Sequence, residues 1–250
     1  LAMIYIMSRK QGKAQKVLNA ALQTSRADPY VRFAQALMHR ANRNSPKERK
    51  LLLGLVKDGY DSYEGRMRLA TLALAKKKHK EAITHLEAAF KLDPEASKPL
   101  VRLAFLYKKL KKERPLVDVV YKLAFIKQTS ASIVYSAIKR ASKLKQWDRV
   151  RKLGPLGIHN QPFNALIHEK YAWALRAGGK HKEALFEFQS ALLCKPKNAK
   201  YIHVGIARSH VALGQKKKAL KAVNAALDID PNFPPAVKLL KRLQPDRYGP

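Results

Sequence analysis

Small and apolar residues recur along this chain in a fixed frame, punctuated by basic turns and by prolines. Residues 76–94 read KKKHKEAITHLEAAFKLDP, residues 178–196 read GGKHKEALFEFQSALLCKP, and residues 213–231 read LGQKKKALKAVNAALDIDP. Each stretch places a small residue after the turn (Ala82, Ala184, Ala219), a second Ala seven residues on (Ala89, Ala191, Ala226), and a Pro five residues after that. With Leu86, Phe188 and Val223 between the alanines, the spacing is that of one helix face. The tetrapeptide His79-Lys80-Glu81-Ala82 returns as His181-Lys182-Glu183-Ala184 after 102 residues, three times 34. Self-similarity at such a period predicts a tandem array of stacked helical units.

In this frame the sequence resembles the tetratricopeptide repeat. The resemblance implies an all-α, right-handed superhelix of stacked antiparallel helix pairs, A then B, in about seven units, some of them degenerate. Regular copies run from Tyr63 to Pro94, from Ala165 to Pro196 and from Lys200 to Pro231. A further copy spans residues 97–128, with Leu103, Ala104 and Tyr107 in helix A, Leu116, Val120 and Leu123 in helix B, and Gln128 in place of the closing Pro. In the copy over residues 131–162, Gly154-Pro155 falls inside helix B. A proline there removes a backbone donor and clashes with the preceding turn, so the expectation is a short helix B and an irregular loop near 154–162. Residues 1–60 hold degenerate units ending near Pro29 and near Asp58-Gly59-Tyr60, and residues 233–243 predict a helix capping the last apolar face.

Charge changes the picture. Lys and Arg number 51 against 18 Asp and Glu, a net +33, which selects anionic partners without naming one. A single cysteine, Cys194, excludes an intrachain disulfide. The opening LAMIYIMSRK is too short an apolar run to span a bilayer and reads as the middle of a helix, as in a piece of a longer protein. A cytoplasmic location is the expectation, with periplasmic or membrane-associated placement left open.

The resemblance also implies a site. In that family, helix A positions 2, 5, 9, 12 and 13 line a concave face. Carried over, they place Phe105, Tyr135, Trp173 and Tyr201 in a groove with Lys108, Lys139, Arg176 and Arg208 beside them. Aromatic and arginine side chains are what binding hot spots are made of, and such a groove suits a protein segment with apolar anchors and acidic residues. The same aromatics could instead pack between neighbouring A helices. Positions 5 and 9 carry no Asn, which argues against the family's clamp for a terminal carboxylate. The densest basic runs, Lys76-Lys77-Lys78, Lys111-Lys112, Lys180 with Lys182, and Lys216-Lys217-Lys218, fall at A–B turns and predict a basic edge. That edge is either solvated surface or a dock for an acidic protein, nucleic acid or anionic lipid.

No phosphate-cradling glycine loop, nucleophile and base pair, or metal-ligand cluster stands out. His168, His203 and His210 fall at packing positions, and His159 in the expected loop. No cofactor is implied. The expectation is a non-catalytic adaptor or scaffold binding an acidic protein. Bacterial scaffolds of the family serve envelope assembly, secretion, pili and polarity signalling. The alternative is a nucleic-acid-associated or membrane-surface protein using the basic edge. Sequence-specific RNA reading is disfavoured, since position 5 carries Met67, Val101, Tyr135, Glu169 and Val204 rather than one polar column.

Overall fold

The computed structural model describes residues 1–126 and 129–245, and among these fifteen α-helices follow one another with no strand. In chain order, α1 (Ala2–Met7) precedes α2 (Gln11–Thr24), α3 (Pro29–Ala41) precedes α4 (Ser45–Lys57), and α5 (Tyr63–Ala75) precedes α6 (His79–Leu92). Then come α7 (Ser97–Lys109) with α8 (Glu113–Leu123) and α9 (Ala131–Lys143) with α10 (Trp147–Asn160). Last are α11 (Ala165–Ala177) with α12 (His181–Leu193), α13 (Ala199–Ala212) with α14 (Lys216–Ile229), and α15 (Pro234–Leu243). Odd-numbered helices are the A helices and even-numbered ones the B helices. Gln128, expected to close the 97–128 copy, lies outside the described residues.

The turn from A to B is built the same way seven times. At Arg9, Arg43, Lys77, Lys111, Lys145, Gly179 and Gly214 the backbone is left-handed, with φ between 54° and 77°. Each of these residues donates its N–H three residues back, as Lys77 does to the Leu74 carbonyl and Gly179 to that of Arg176. The next residue donates five back, as Lys78 does to Ala73 and Lys180 to Leu175. This is the Schellman arrangement, which satisfies the last carbonyls of helix A and reverses the chain. The left-handed residue recurs at intervals of 34 from Arg9 to Gly179 and of 35 to Gly214. All seven pairs therefore share one register, including those whose side chains depart from the pattern.

Packing follows from the small residues. Ala82, Ala89, Ala184, Ala191, Ala219 and Ala226 are all 0% exposed, so any larger side chain there would push the helices apart. The described fold divides into two compact units, Leu1–Val119 and Val120–Pro250. The first holds cores around Leu18 and Met38, around Leu52, Leu55 and Leu69, and around Ala73, Ala82 and Leu106. It also buries a carboxylate: Glu48 on α4 accepts from the partly exposed Arg68 on α5, from Nε at 2.5 Å and Nη2 at 2.8 Å. In the second, a continuous core around Phe188, Ile202 and Val223 is closed by Phe233, Ala236 and Leu239 as α15 packs on α14.

The expected loop near 154–162 is not a loop. Helix α10 runs unbroken from Trp147 to Asn160 with Pro155 inside it. Pro155 is on the exposed side, where a carbonyl left without its donor can turn to water, while Gly154 and Gly157 are buried. A Cβ on Gly154 would lie 2.2 Å from the Tyr171 ring, and one on Gly157 would lie 2.5 Å from Ile138 Cδ1. The two glycines are notches that let α10 settle onto α11 and α9. Close approach, not chain flexibility, accounts for them.

Candidate functional site

Two clefts open among the A helices of the second unit. The first, of about 560 Å³, is formed by α9, α11, the start of α10 and the start of α13. Leu166, Trp173, Tyr201 and Trp147 supply apolar and aromatic walls, and Lys139, Lys143 and Lys170 supply charge. Trp173 is half-buried. Its ring stands edge-on to Phe188 with centroids 5.2 Å apart, and the Arg176 guanidinium carbon lies 5.3 Å from its centroid. Core packing and a cation thus hold Trp173 in one orientation while it still lines the cleft. Tyr201, 46% exposed, is braced edge-on by Phe233 at 4.7 Å. Of the cleft's charges, Lys170 is paired with Glu169 at 2.6 Å.

The second cleft, of about 400 Å³, lies between α11, α13 and α15. Arg176, Arg208, Lys238 and Arg242 line it together with Val211, Pro235 and Leu239. Burial, and then the neighbouring charge of Arg208, pull the Arg176 guanidinium below its ordinary pKa. Its Nε is buried and, among the described residues, has no hydrogen-bond partner.

The sequence-predicted residues therefore divide. Lys139, Trp173 and Tyr201 line the first cleft, and Arg176 and Arg208 the second. Tyr135 is half-buried on α9 and is not among the lining residues of either. Phe105 and Lys108 lie in the first unit on α7, where Phe105 is 68% exposed and Val101, one turn before it, is 50% exposed. The basic edge residues Lys76, Lys77, Lys78, Lys111, Lys112, Lys180, Lys182, Lys216, Lys217 and Lys218 are all exposed at or beside A–B turns. Two are partly balanced by nearby carboxylates, Lys78 by Glu81 at 3.9 Å and Lys180 by Glu183 at 3.3 Å. Sequence reasoning missed Trp147, which opens a B helix and so stands outside the helix A column. It also missed Lys238 and Arg242, because α15 reads only as an apolar cap.

Two of the histidines brace the fold. His168 sits between the Glu187 carboxylate at 2.6 Å and the Pro162 carbonyl at 2.8 Å, tying α11 to α12 and to the turn before it. His210 Nδ1 meets the Gln215 side chain at 2.7 Å across its turn. Burial lowers the pKa of His203. His159 lies on α10 rather than in a loop. Among the described residues no group of three His, Cys, Asp or Glu is placed to hold a metal ion, and no helix is long and apolar enough to cross a membrane.

Family models described as tetratricopeptide repeat match residues 33–97 and 201–233. Those two stretches are thus tetratricopeptide repeats, and the other helix pairs of the described residues share their register. No curated protein matches it. Among solved structures it is similar to YrrB, a tetratricopeptide protein with an unusual peptide-binding site, at 16% identity and a TM-score of 0.53 over 76% of this chain and 97% of that one. It is also similar to a tetratricopeptide repeat protein from Parabacteroides merdae, at 14% identity and a TM-score of 0.46 over 97% of this chain and 96% of that one. The likeness to YrrB supports the fold.

Proposed function

We propose that this protein is a non-catalytic adaptor whose A helices capture an extended protein segment carrying apolar anchors and acidic residues. The observation that carries this reading is the first cleft, where Leu166, Trp173, Tyr201 and Trp147 converge beside Lys139 and Lys143. Two of its aromatics are held by edge-on packing, so little side-chain freedom is lost when an anchor enters. Exposed lysines around the cleft speed encounter with an acidic segment and set its orientation. Peptide binding by YrrB is a property of that protein.

The test is selection from a displayed random peptide library on the full chain. Enriched peptides should pair a large apolar residue with Asp or Glu. Their affinity should fall by about 1 to 2 kcal/mol in Leu166→Ala and in Tyr201→Ala, with matched circular dichroism. Neutralising Lys139 and Lys143 should chiefly slow association, and the effect should shrink in high salt. Enrichment without charge preference, or variants that bind as tightly as the parent, would refute the reading.

One observation favours a second role for the basic edge. Lys77, Lys111 and Lys145 hold left-handed backbone that Gly would adopt without strain. A cation kept there at a conformational cost suits contact with an anionic surface. If that surface is nucleic acid, Lys76→Gln/Lys77→Gln/Lys78→Gln would lower the salt slope of binding to a single-stranded oligonucleotide. An unchanged slope would leave those lysines as solvated surface.

A further inference from the structure

The second cleft does something the first does not. Four cationic side chains from three helices, Arg176 on α11, Arg208 on α13, and Lys238 and Arg242 on α15, line one space of about 400 Å³. Among the described residues no carboxylate lines it and none is paired with any of the four. Elsewhere the chain gives its less exposed arginines an acid: Arg68 has Glu48, Arg66 has Asp61, and Arg49 has Glu81. Arg176 has instead a tryptophan beneath it, a second arginine beside it, and a buried Nε with no acceptor. A guanidinium so placed has lost water without gaining a counter-charge, and a ligand anion would supply one.

From this arrangement we infer that the cleft is a receptor for a phosphoryl group carried on a side chain of the bound protein segment. The inference rests on the peptide-capture reading for the rest of the ligand, but the phosphoryl site itself does not require it. The charge count favours a dianion, since one carboxylate would leave three of four cations unbalanced. Guanidinium forks match the spacing of phosphate oxygens, and the Trp173 ring, 5.3 Å from the Arg176 guanidinium carbon, gives one of them a neighbour before the ligand arrives. The walls Val211, Pro235 and Leu239 are apolar, which free phosphate would not use and the carbon stem of a phosphorylated residue or its neighbour would. Nucleic acid fits less well. Among the described residues that line the cleft there is no aromatic ring for a base to stack on.

The test follows the Arg Nε–Hε resonances of the full chain while inorganic phosphate is added, with acetate and chloride at equal ionic strength as controls. Phosphate should shift Arg176 saturably and the controls should not. Arg208→Gln should weaken phosphate by about tenfold while leaving thermal stability equal or higher, because it relieves repulsion and breaks no ion pair. Two degenerate peptide pools, one with fixed phosphoserine and one with fixed Glu, then identify the source. The phosphoserine pool should bind more tightly than both the Glu pool and inorganic phosphate, and Arg208→Gln should remove its advantage. Leu166→Ala should weaken the peptide pools and leave the inorganic phosphate titration unchanged, so failure of peptide capture and failure of the phosphoryl site give different patterns. No saturable shift with phosphate would overturn the proposal. So would equal binding of the two pools, inorganic phosphate binding as tightly as phosphopeptide, or an oligouridylate displacing phosphopeptide at lower concentration.

Discussion

Substituting Gly154 by Ala tests whether the glycines of α10 are notches or breaks. In a loop or a frayed helix end, Ala would be neutral or favourable, because it restricts the unfolded chain and has the better helix propensity, worth about 0.5 to 1 kcal/mol. In the packed helix the added methyl would stand 2.2 Å from Tyr171 Cδ2 and 2.4 Å from Cγ, far inside van der Waals contact. The Tyr171 ring cannot simply retreat, since it packs against the buried core of the second unit. Overpacking costs about 1 to 3 kcal/mol, and a contact this close with a held ring belongs in the middle of that range or above, about 2 kcal/mol or more, which leaves a net loss of roughly 1 to 2.5 kcal/mol. Urea unfolding followed by circular dichroism reads the total, and the fluorescence of Trp147 and Trp173, both in the same unit, reads the local loss. A cycle with Tyr171→Leu makes the assignment specific: the double variant should be less destabilised than the sum of the singles by about 1 kcal/mol. A Gly154→Ala protein as stable as its parent would refute the notch.

Three further outcomes are expected. Gly179→Ala should destabilise by about 1 kcal/mol, because its φ of 77° is left-handed, whereas Lys145→Gly at φ 55° should not destabilise; thermal melts of the two, compared with the parent, decide this. Glu48→Gln should cost about 1 to 3 kcal/mol in denaturant unfolding, since Glu48 is 1% exposed and its loss strips the carboxylate from Arg68, which is itself partly exposed. Burial depresses His85 and His203 in the folded protein, so the unfolded chain takes up protons first as pH falls below about 6.5, and stability should decline from there through the folded values. Glu81, held low by Arg49, adds a second loss at lower pH, so His203→Phe should flatten the melting-temperature profile only in the upper window.

What the sequence disclosed depended on whether a role needed one residue or several. Ala82, Ala184 and Ala219 announce the helix pairs because one small residue suffices at each close approach. Gly179 and Gly214 announce the turns for a similar local reason. Lys77, Lys111 and Lys145 adopt the same left-handed backbone without glycine, so the turns there were legible only through the 34-residue frame. The same limit explains Gly154-Pro155, where local propensity argues for a break and contacts with Tyr171 and Ile138 argue for a helix. The clefts were half visible. A column of helix A positions points to Trp173, Arg176 and Arg208, but Trp147, Lys238 and Arg242 join them only through the packing of α10 and α15.

The recurrence of the left-handed turn residue at a constant interval has a consequence for how the gene can change. Arg9, Arg43, Lys77, Lys111, Lys145 and Gly179 are equivalent joints, so excising the stretch between any two successive ones brings together backbone already shaped for the same reversal. Loss or duplication of 34 codons is therefore a tolerable edit, while loss of 33 with the join inside a helix would set the two parts of that one helix about 100° out of register, unless a loop absorbs the slip as it does in the 35-residue interval before Gly214. The chain carries, over its triplet code, a second and much coarser reading frame.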